Sequence, residues 1–391
     1  MKKRIGIIGT GTAGLHLAYA LKEDFDVSIF HSTSPEEIRN GRVLSTQVHF
    51  GSARARERRF QMPEWHTRLI ESIHITIGAQ KLFAGRLKES ASSVDQRLYV
   101  SHYMDDLKNK GVSFCHTKVE KDQFEKLTDE FDLVVDCSGR TGQLFSFPIE
   151  ESLTPFQQPQ RKCIVGYFKG IQDNKPLGVN VTILPGMGEM FEIPALTEVG
   201  GVTILFIMPI PDQKLDVFKG VKNPVEFTEK MREVLETHFP NVSKRVDKER
   251  FFLADENGFL QVAVKPEIRR PHITFNEKLV LGCGDSVFLN DPITGQGCNL
   301  ASYCAEQLYE TLIDYKFVDW DNSLGEEYWA RTKPFVKEVT EWTNAMTQPI
   351  PEHIIGLLLK GAEDSSIADQ VAEWFARPDT AHEAFFQKTN I

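Results

Sequence analysis

A glycine-punctuated turn between an apolar run and a helix-forming run opens the chain and limits its fold more than any other feature. Arg4-Ile5-Gly6-Ile7-Ile8 reads as a strand, Gly9-Thr10-Gly11-Thr12-Ala13-Gly14 as a turn, and Leu15 to Leu21 as the start of a helix that alanine and leucine favour. Asp26-Val27-Ser28-Ile29-Phe30 follows as a second strand, giving a βαβ unit. In this setting Gly9 allows the tight turn, Gly11 lets the backbone approach a pyrophosphate, and Gly14 lets helix and strand pack closely. The phosphate then sits at a helix N-terminus, where amide hydrogens and the dipole favour an anion. Thr12 and Ala13 belong to the same cofactor-binding turn. The basic start Met1-Lys2-Lys3-Arg4 superficially imitates a signal peptide, but glycines break its apolar part and no cleavage site follows, so a strand is expected.

The chain has 391 residues, which at roughly 150 per domain suggests two or three domains or one nested pair. A formal charge of −10 argues against a general nucleic-acid binder. No run approaches the ~18 consecutive apolar residues of a spanning helix, so no membrane association is expected. Six cysteines are scattered without C-x-x-C or zinc spacing. Free thiols in a reducing cytoplasm and no bound metal are the economical expectation.

The organisation is nested. Leu44–Phe50 reads as extended, and Ile73–Ile77 and Lys81–Phe83 as a hairpin around Gly78-Ala79-Gln80. A helix follows Asp95, then strands at Val112–Cys115 and Phe131–Cys137. Several strands run from Lys162 to Met208, and Pro224–His238 is predicted as a helix with Asn223 as N-cap. Phe259–Val264 and Lys278–Gly282 are strands, a helix begins near Gly297, and residues 321–391 read as helical. The expected class is therefore α/β, with a β-rich block inserted in a discontinuous Rossmann-like domain. That domain takes residues 1–70, 92–155 and 270–318. A β-sheet substrate domain takes 71–91 and 156–269, and a helical segment takes 319–391.

The end of the second strand lacks the acid that usually holds a ribose hydroxyl. It reads Phe30-His31-Ser32-Thr33, and Ser32 or Thr33 either accepts the ribose or simply turns the loop. NAD and FAD stay open here. Gly282-Cys283-Gly284-Asp285 closing a strand and Asp291-Pro292-Ile293-Thr294-Gly295-Gln296-Gly297 opening a helix narrow the choice. An acid after a strand can hold ribityl hydroxyls, and small residues at a helix start let amides face an electron-rich flavin edge. The pair resembles the GD…DPxxGxG signature of flavoprotein monooxygenases and their halogenase relatives. Asp132-Leu133-Val134-Val135-Asp136-Cys137-Ser138-Gly139 resembles their third nucleotide-domain strand and turn. The resemblance implies FAD and a p-hydroxybenzoate-hydroxylase-like fold.

The N-terminal 17 residues, Val94-Asp95-Gln96-Arg97-Leu98-Tyr99, Asp291–Asn299 and Glu341-Trp342-Thr343-Asn344 together resemble the epoxidase component of styrene and indole monooxygenases. What this implies is a two-component enzyme. A separate NADH:flavin reductase supplies reduced FAD, O2 gives a flavin C4a-hydroperoxide, and its distal oxygen passes to an aromatic alkene. The length agrees, since little room is left for a reductase domain. Through the resemblance Gly284, Asp285, Pro292, Gly295, Gln296, Gly297, Asn299, Arg42 and Arg97 are cofactor-binding candidates; Arg97 also reads as an ion pair with Asp95. Pro292, Gly295, Gln296 and Gly297 form the flavin environment, and no general acid or base is assigned. A homodimer is left open.

Ser45, Gln47, His49, Ile75, Ala91 and Pro292 are the substrate-binding candidates. Residues two apart on a strand share a face, so Ser45, Gln47 and His49 can line one wall. Against the family, Ser45, Gln47, Ile75 and Ala91 resemble the indole type and His49 the styrene type. Gln47 either meets an indole N–H or satisfies a neighbouring backbone. Indole is therefore the expected substrate, through its 2,3-epoxide to indoxyl and indigo, with styrene also accepted. His16 is expected to pack. The run Arg54-Ala-Arg56-Glu-Arg58-Arg59 is either a solvated helix face or a docking patch for an acidic reductase. The competing functions are a styrene-specific epoxidase, a single-component NAD(P)H-dependent aromatic hydroxylase and a flavin-free escort of lipidated GTPases. A halogenase lacks support without a W-x-W-x-I-P motif.

Overall fold

Apolar runs too short for helices and flanked by glycine turns make central parallel strands, which need burial on both faces. Arg4–Ile8 is such a run, buried from Ile5 onward. The computed structural model describes residues 2–140 and 144–386. In it Arg4–Ile8 lies inside a six-stranded sheet. The order is His272–Phe275, Lys278–Gly282, Leu133–Asp136, Arg4–Ile8, Asp26–His31, Ser113–His116. All neighbours are parallel except the first two. The Thr12–Leu21 helix is apolar nearly all round and buried from Ala13 to Leu21. It packs against the long Gly297–Asp314 helix, so the two halves of the nucleotide fold meet although 275 residues of chain separate them.

The second sheet has eight strands in the order Phe252–Leu253, Lys162–Lys169, Gly200–Pro209, Gly188–Thr197, Gly178–Leu184, Ile70–Ile77, Gln80–Ala91, with Phe259–Ala263 also pairing Lys162–Lys169. It is antiparallel apart from the pairing of Ile70–Ile77 with Gly178–Leu184. Its inner strands do not alternate in burial as those of a one-faced sheet would. Gly178–Leu184 is buried at every position because both faces are covered. On one face Ile73, Ile75 and Phe191 meet Trp342, Leu358 and Val371 of the C-terminal helices. On the other, Ile164, Leu205 and Ile207 meet Phe227, Met231 and Leu235 of the Pro224–His238 helix. That helix starts as its sequence requires, with Asn223 accepting from the Glu226 amide at 2.9 Å. Gly85 permits the closest approach: a Cβ there would stand 2.0 Å from the Ala368 carbonyl oxygen of the Ser365–Glu373 helix.

Two expectations are corrected. The hairpin is longer than predicted, Ile70–Ile77 with Gln80–Ala91. Leu44–Phe50 is not a strand. Only His49 bridges, to Ser92, and the flanking Val48 carbonyl and Phe50 amide go to the Asn299 side chain instead. A segment whose backbone is claimed by a side chain cannot extend a ladder. Among the described residues no helix is long and apolar enough to cross a membrane. All six cysteines are free thiols.

Candidate active site

The first turn divides its work among the three glycines in a way the geometry makes explicit. Gly9 has φ +112°, and a Cβ there would lie 2.3 Å from the Cys137 carbonyl oxygen. A Cβ at Gly14 would lie 2.2 Å from the Gly9 carbonyl oxygen. Both positions are closed by the protein itself. Gly11 is different: nothing lies within 4 Å of where its Cβ would be. Its open backbone is the N-cap of the Thr12–Leu21 helix and receives no side-chain cap. The result is an uncapped helix start with room for an anion, the requirement of a pyrophosphate. Gly295, at φ +65°, and Gly297 also have nothing within 4 Å of a Cβ and lie exposed at the start of the Gly297–Asp314 helix. Gly284, at φ +74°, closes the gap between the halves, since a Cβ would meet Ala13 Cβ at 2.6 Å. Asp285 beside it is exposed. Two open glycine-lined helix starts and an exposed acid therefore offer amide donors and a carboxylate acceptor, a set that fits an extended dinucleotide.

The turn after the Leu133–Asp136 strand is held by a residue not singled out for a role from the sequence. Asp136 is fully buried, accepts from the Ser138 amide at 2.9 Å and from its hydroxyl at 2.5 Å, and draws in the Leu144 amide. Burial pushes its carboxyl pKa upward, against those hydrogen bonds. This clamp fixes the Cys137 carbonyl against which Gly9 rests. Asp291, the first residue of the second motif, is 2% exposed. One of its oxygens accepts from the Ile293 amide at 3.0 Å and the other has no partner. Burial raises its pKa to about 7.

Several candidate residues lie at strand ends, turns and helix starts. Ser32 and Thr33 are exposed at the end of the Asp26–His31 strand. The adjoining Ser34 lines a cleft of about 600 Å³ together with His31, Arg39, Phe114 and His116. Arg42 is exposed. Pro292 is half-buried in the turn that leads to Gly295. Thr12 is half-buried, and Ala13 is buried behind the glycine turn.

Others are corrected. Arg97 is not a free cationic arm: its guanidinium is buried and saturated by Asp95, Asp255 and the Gly41 carbonyl. Asp255 arrives from 158 residues away, which no local spacing could announce. Gln296 points inward, donating to the Thr294 and Phe375 carbonyls, so only its backbone is available at the cleft. Asn299 is spent on Val48, Phe50 and Gly295. Gln47 donates to the Val94 carbonyl at 3.3 Å, the neighbouring-backbone alternative. Ser45 is half-buried in the irregular segment, so the shared wall of a strand does not exist. Ile75 and Ala91 are both buried in the core between the second sheet and the C-terminal helices. The arginine run is largely paired within the protein. Arg56 and Arg59 pair with Glu306, Arg59 also with Glu310, and Arg54 holds the Ser90 carbonyl, leaving Arg58 as its exposed member without such a partner.

His49 is drawn into a buried polar cluster. Its Nδ1 meets Glu57 at 2.5 Å, Tyr99 donates to the same carboxylate oxygen at 2.9 Å, and His16 Nε2 bonds the Tyr99 hydroxyl at 2.7 Å. Burial opposes a charged His49, but Cys298 and Glu57 beside it outweigh that and raise its pKa. Burial likewise opposes the Glu57 carboxylate, and His49 more than reverses it. His16 stays neutral, its pKa lowered to about 3 by burial. His16, His49 and Glu57 present ligand-type atoms within 4.8 Å of one another. Those same atoms are already spent on Tyr99 and on each other. Glu57 sits within the arginine run, and nothing in its sequence setting separates it from a surface acid.

Comparison with known proteins agrees with this geometry. A family model for the styrene monooxygenase A substrate-binding domain matches residues 139–245. Styrene monooxygenase StyA of a Pseudomonas species is 34% identical over 406 aligned residues, covering 100% of this chain and 97% of the relative. Among solved structures, the flavin-dependent brominase Bmp2 superposes with a TM-score of 0.70 at 16% identity, covering 98% of this chain and 94% of the other. The p-nitrophenol 4-monooxygenase PnpA of Pseudomonas putida does so with 0.69 at 12% identity, covering 97% and 98%. At such low identity these two report the fold, a p-hydroxybenzoate-hydroxylase-like FAD-binding architecture.

Proposed function

Since the chain belongs to the styrene monooxygenase family and is an FAD-dependent monooxygenase of the epoxidase type, we propose that indole is its preferred arene, styrene a second substrate, and a separate NADH:flavin reductase its source of reduced FAD. One observation carries the assignment of the cleft to the flavin: Gly11, Gly295 and Gly297 have open space where a side chain would stand, while Gly9, Gly14 and Gly284 do not. Bound reduced FAD supplies the electrons and the oxygen-transfer chemistry with O2. The protein's own work is to hold and shield. Gly11 and Thr12 offer backbone to the pyrophosphate, Asp285 and the Ser32–Thr33 hydroxyls take sugar hydroxyls, and Arg42 adds a cation. The amides from Gly295 to Gly297 face the flavin edge where negative charge collects. No side chain is asked to move a proton to or from the substrate.

With Ile75 and Ala91 in the core, support for indole rests on the indole-type residues Ser45 and Gln47. The Gln47 Nε2 is occupied by Val94, which leaves its Oε1 as the acceptor an indole N–H needs. His49, the residue that favours styrene, is explained by Glu57 instead and so does not weigh against indole. The name of the Pseudomonas relative favours the second substrate. The test is direct. Purified protein given chemically reduced FAD and O2 is offered indole and styrene together, and the products are separated by chromatography. Indole-derived indigo in excess of styrene oxide is expected, and styrene oxide alone would sink the preference. The protein by itself should not oxidise NADH; direct NADH consumption would favour a single-component hydroxylase.

A further inference from the structure

We propose that Asp255 and Asn257 are positioning residues for the cofactor: they stand on a turn of the eight-stranded sheet and aim the Arg42 guanidinium from behind. The proposal rests on the reading of Arg42 as a cofactor cation. Residues 42–48 form neither helix nor strand. Arg42 is exposed there, and among the described residues its guanidinium has no hydrogen-bond or ion-pair partner. A long cation on an unsupported segment samples many directions, and fixing one of them costs backbone and side-chain entropy. An anionic ligand gains most from a cation that is held in place before it arrives.

The backbone on both sides of Arg42 is held. The Asn40 carbonyl accepts from Asn257 Nδ2 at 3.0 Å, and the Gly41 carbonyl accepts from a terminal nitrogen of Arg97 at 3.1 Å. The Val43 amide donates to the Asn257 carbonyl at 3.1 Å. Arg97 reaches Gly41 because two carboxylates orient its guanidinium. Asp255 takes both terminal nitrogens, at 2.9 and 2.8 Å, while Asp95 takes Nε and one terminal nitrogen. Asp95 is fixed in turn by the second sheet, its amide donating to the Leu196 carbonyl of the Gly188–Thr197 strand at 2.7 Å. The Val43 side chain, 1% exposed, is buried in the core of that sheet. Backbone φ and ψ limit the rotamers a side chain can adopt, so these contacts restrict where Arg42 points.

The turn that does the holding is itself firmly built. It joins Phe252–Leu253 to Phe259–Ala263, and both of these pair with Lys162–Lys169. The Ala254 amide donates to the Tyr167 carbonyl at 2.8 Å, and the Tyr167 amide donates to the Gly258 carbonyl at 2.9 Å. Within the turn, Asp255 Oδ1 accepts from the Asn257 amide at 2.9 Å. One carboxylate therefore shapes the turn and orients Arg97 together. A turn that only joined the two sheets would need no relation to Arg42. Here its carboxylate, carboxamide and carbonyl converge on Asn40, Gly41 and Val43, so the substrate sheet sets the direction of a cofactor cation.

The experiment is a double-mutant cycle on the full-length protein. FAD affinity is read by flavin fluorescence titration, and the backbone of residues 40–45 by hydrogen exchange of flavin-free protein. Asn257→Ala should speed exchange in that segment several-fold and weaken FAD binding about fivefold, the size of one lost hydrogen bond. Asp255→Asn keeps an acceptor for the Asn257 amide but loses the charge facing Arg97, and should weaken binding about tenfold. Asn257→Ala decides where Asp255→Asn folds poorly. Arg42→Ala should weaken binding by at least as much, and adding either turn substitution to it should change affinity by less than about twofold. A residue that only joins the sheets would weaken binding by the same factor in both backgrounds. Such additivity, unchanged exchange at 40–45, or full FAD affinity in the turn variants while Arg42→Ala binds weakly, would overturn the positioning role alone. Undiminished binding by Arg42→Ala would overturn the reading of Arg42 and the positioning role with it.

Discussion

In the six-stranded sheet the residues that shape the site lie within a few positions of a strand end. In the eight-stranded sheet and the segments around it, each candidate depends on a partner far away in sequence. Gly9, Gly11 and Gly14 follow Ile8 directly, and Gly284 and Asp285 follow Gly282. A parallel strand delivers its chemistry at its C-terminal edge, so a motif and its location coincide. Antiparallel strands buried on both faces have no such privileged edge. Ile75 and Ala91 acquire their surroundings only from the C-terminal helices, and Gln47 and His49 only from Val94 and Glu57. The first region is thus read by spacing, and the second by contact.

This contrast can be broken by substitution. Arg97→Leu should have the largest effect. It strands buried Asp95 and half-buried Asp255, and removal of one partner of a buried pair costs about 3–5 kcal/mol. Chemical denaturation should show the loss; a change under about 1 kcal/mol would return Arg97 to the status of a cofactor arm. Breaking the Arg161–Glu189 bridge, which also holds the Thr347 carbonyl and so joins the second sheet to the C-terminal helices, should cost a similar amount in Arg161→Met.

Gly9→Ala comes next, at about 3 kcal/mol, from positive φ and the overlap with Cys137. Gly11→Ala is its counterpart. It should change stability by under about 1 kcal/mol, because nothing lies near its Cβ, yet weaken FAD binding about tenfold or more in a fluorescence titration. Equal behaviour of the two variants would end the distinction between closed and open glycines.

Asp291 supplies a pH test on flavin-free protein. Its folded pKa of about 7 lies above the unfolded value of about 4, so the native state holds the extra proton between those limits. The stability that this proton provides is present below pH 4 and lost as pH rises through 7. Asp291→Asn should therefore be more stable than wild type at pH 8, by roughly 4 kcal/mol at most, with the gap closing near pH 4. A gap that is constant from pH 4 to 8 would show the carboxyl is ionised throughout. The smallest expected change is in selectivity. Ser45→Asn with Gln47→Val should move product ratios toward styrene oxide by a few-fold, without altering the melting temperature by more than a few degrees.

Much of the fold is legible in the amino-acid sequence alone. The strand-turn-helix opening, the second glycine motif, the nested β-rich block and the Asn223-capped helix follow from periodicity and turn chemistry, which act over a few residues. The Leu44–Phe50 segment misled because its alternation satisfied a strand pattern while its backbone partner was the side chain of Asn299. Arg97 misled in another way: Asp95 is visible two residues off, but Asp255 is not.

What the sequence determined by itself is the nucleotide fold, the flavin class of the cofactor and the open helix starts that receive it, since these depend on glycines whose missing side chains leave space or permit a positive φ, and on neighbours a turn apart. What the tertiary structure alone decided is which polar side chains remain free. Arg97, Gln296, Asn299, Gln47 and His49 all look available in one dimension, and each is claimed by a group more than about 40 residues away or by the helix it abuts, except for His49, whose nearest claimant is Glu57 eight residues on. Burial makes an unpaired polar group costly, so the fold assigns every one it can, and what is left over is the site.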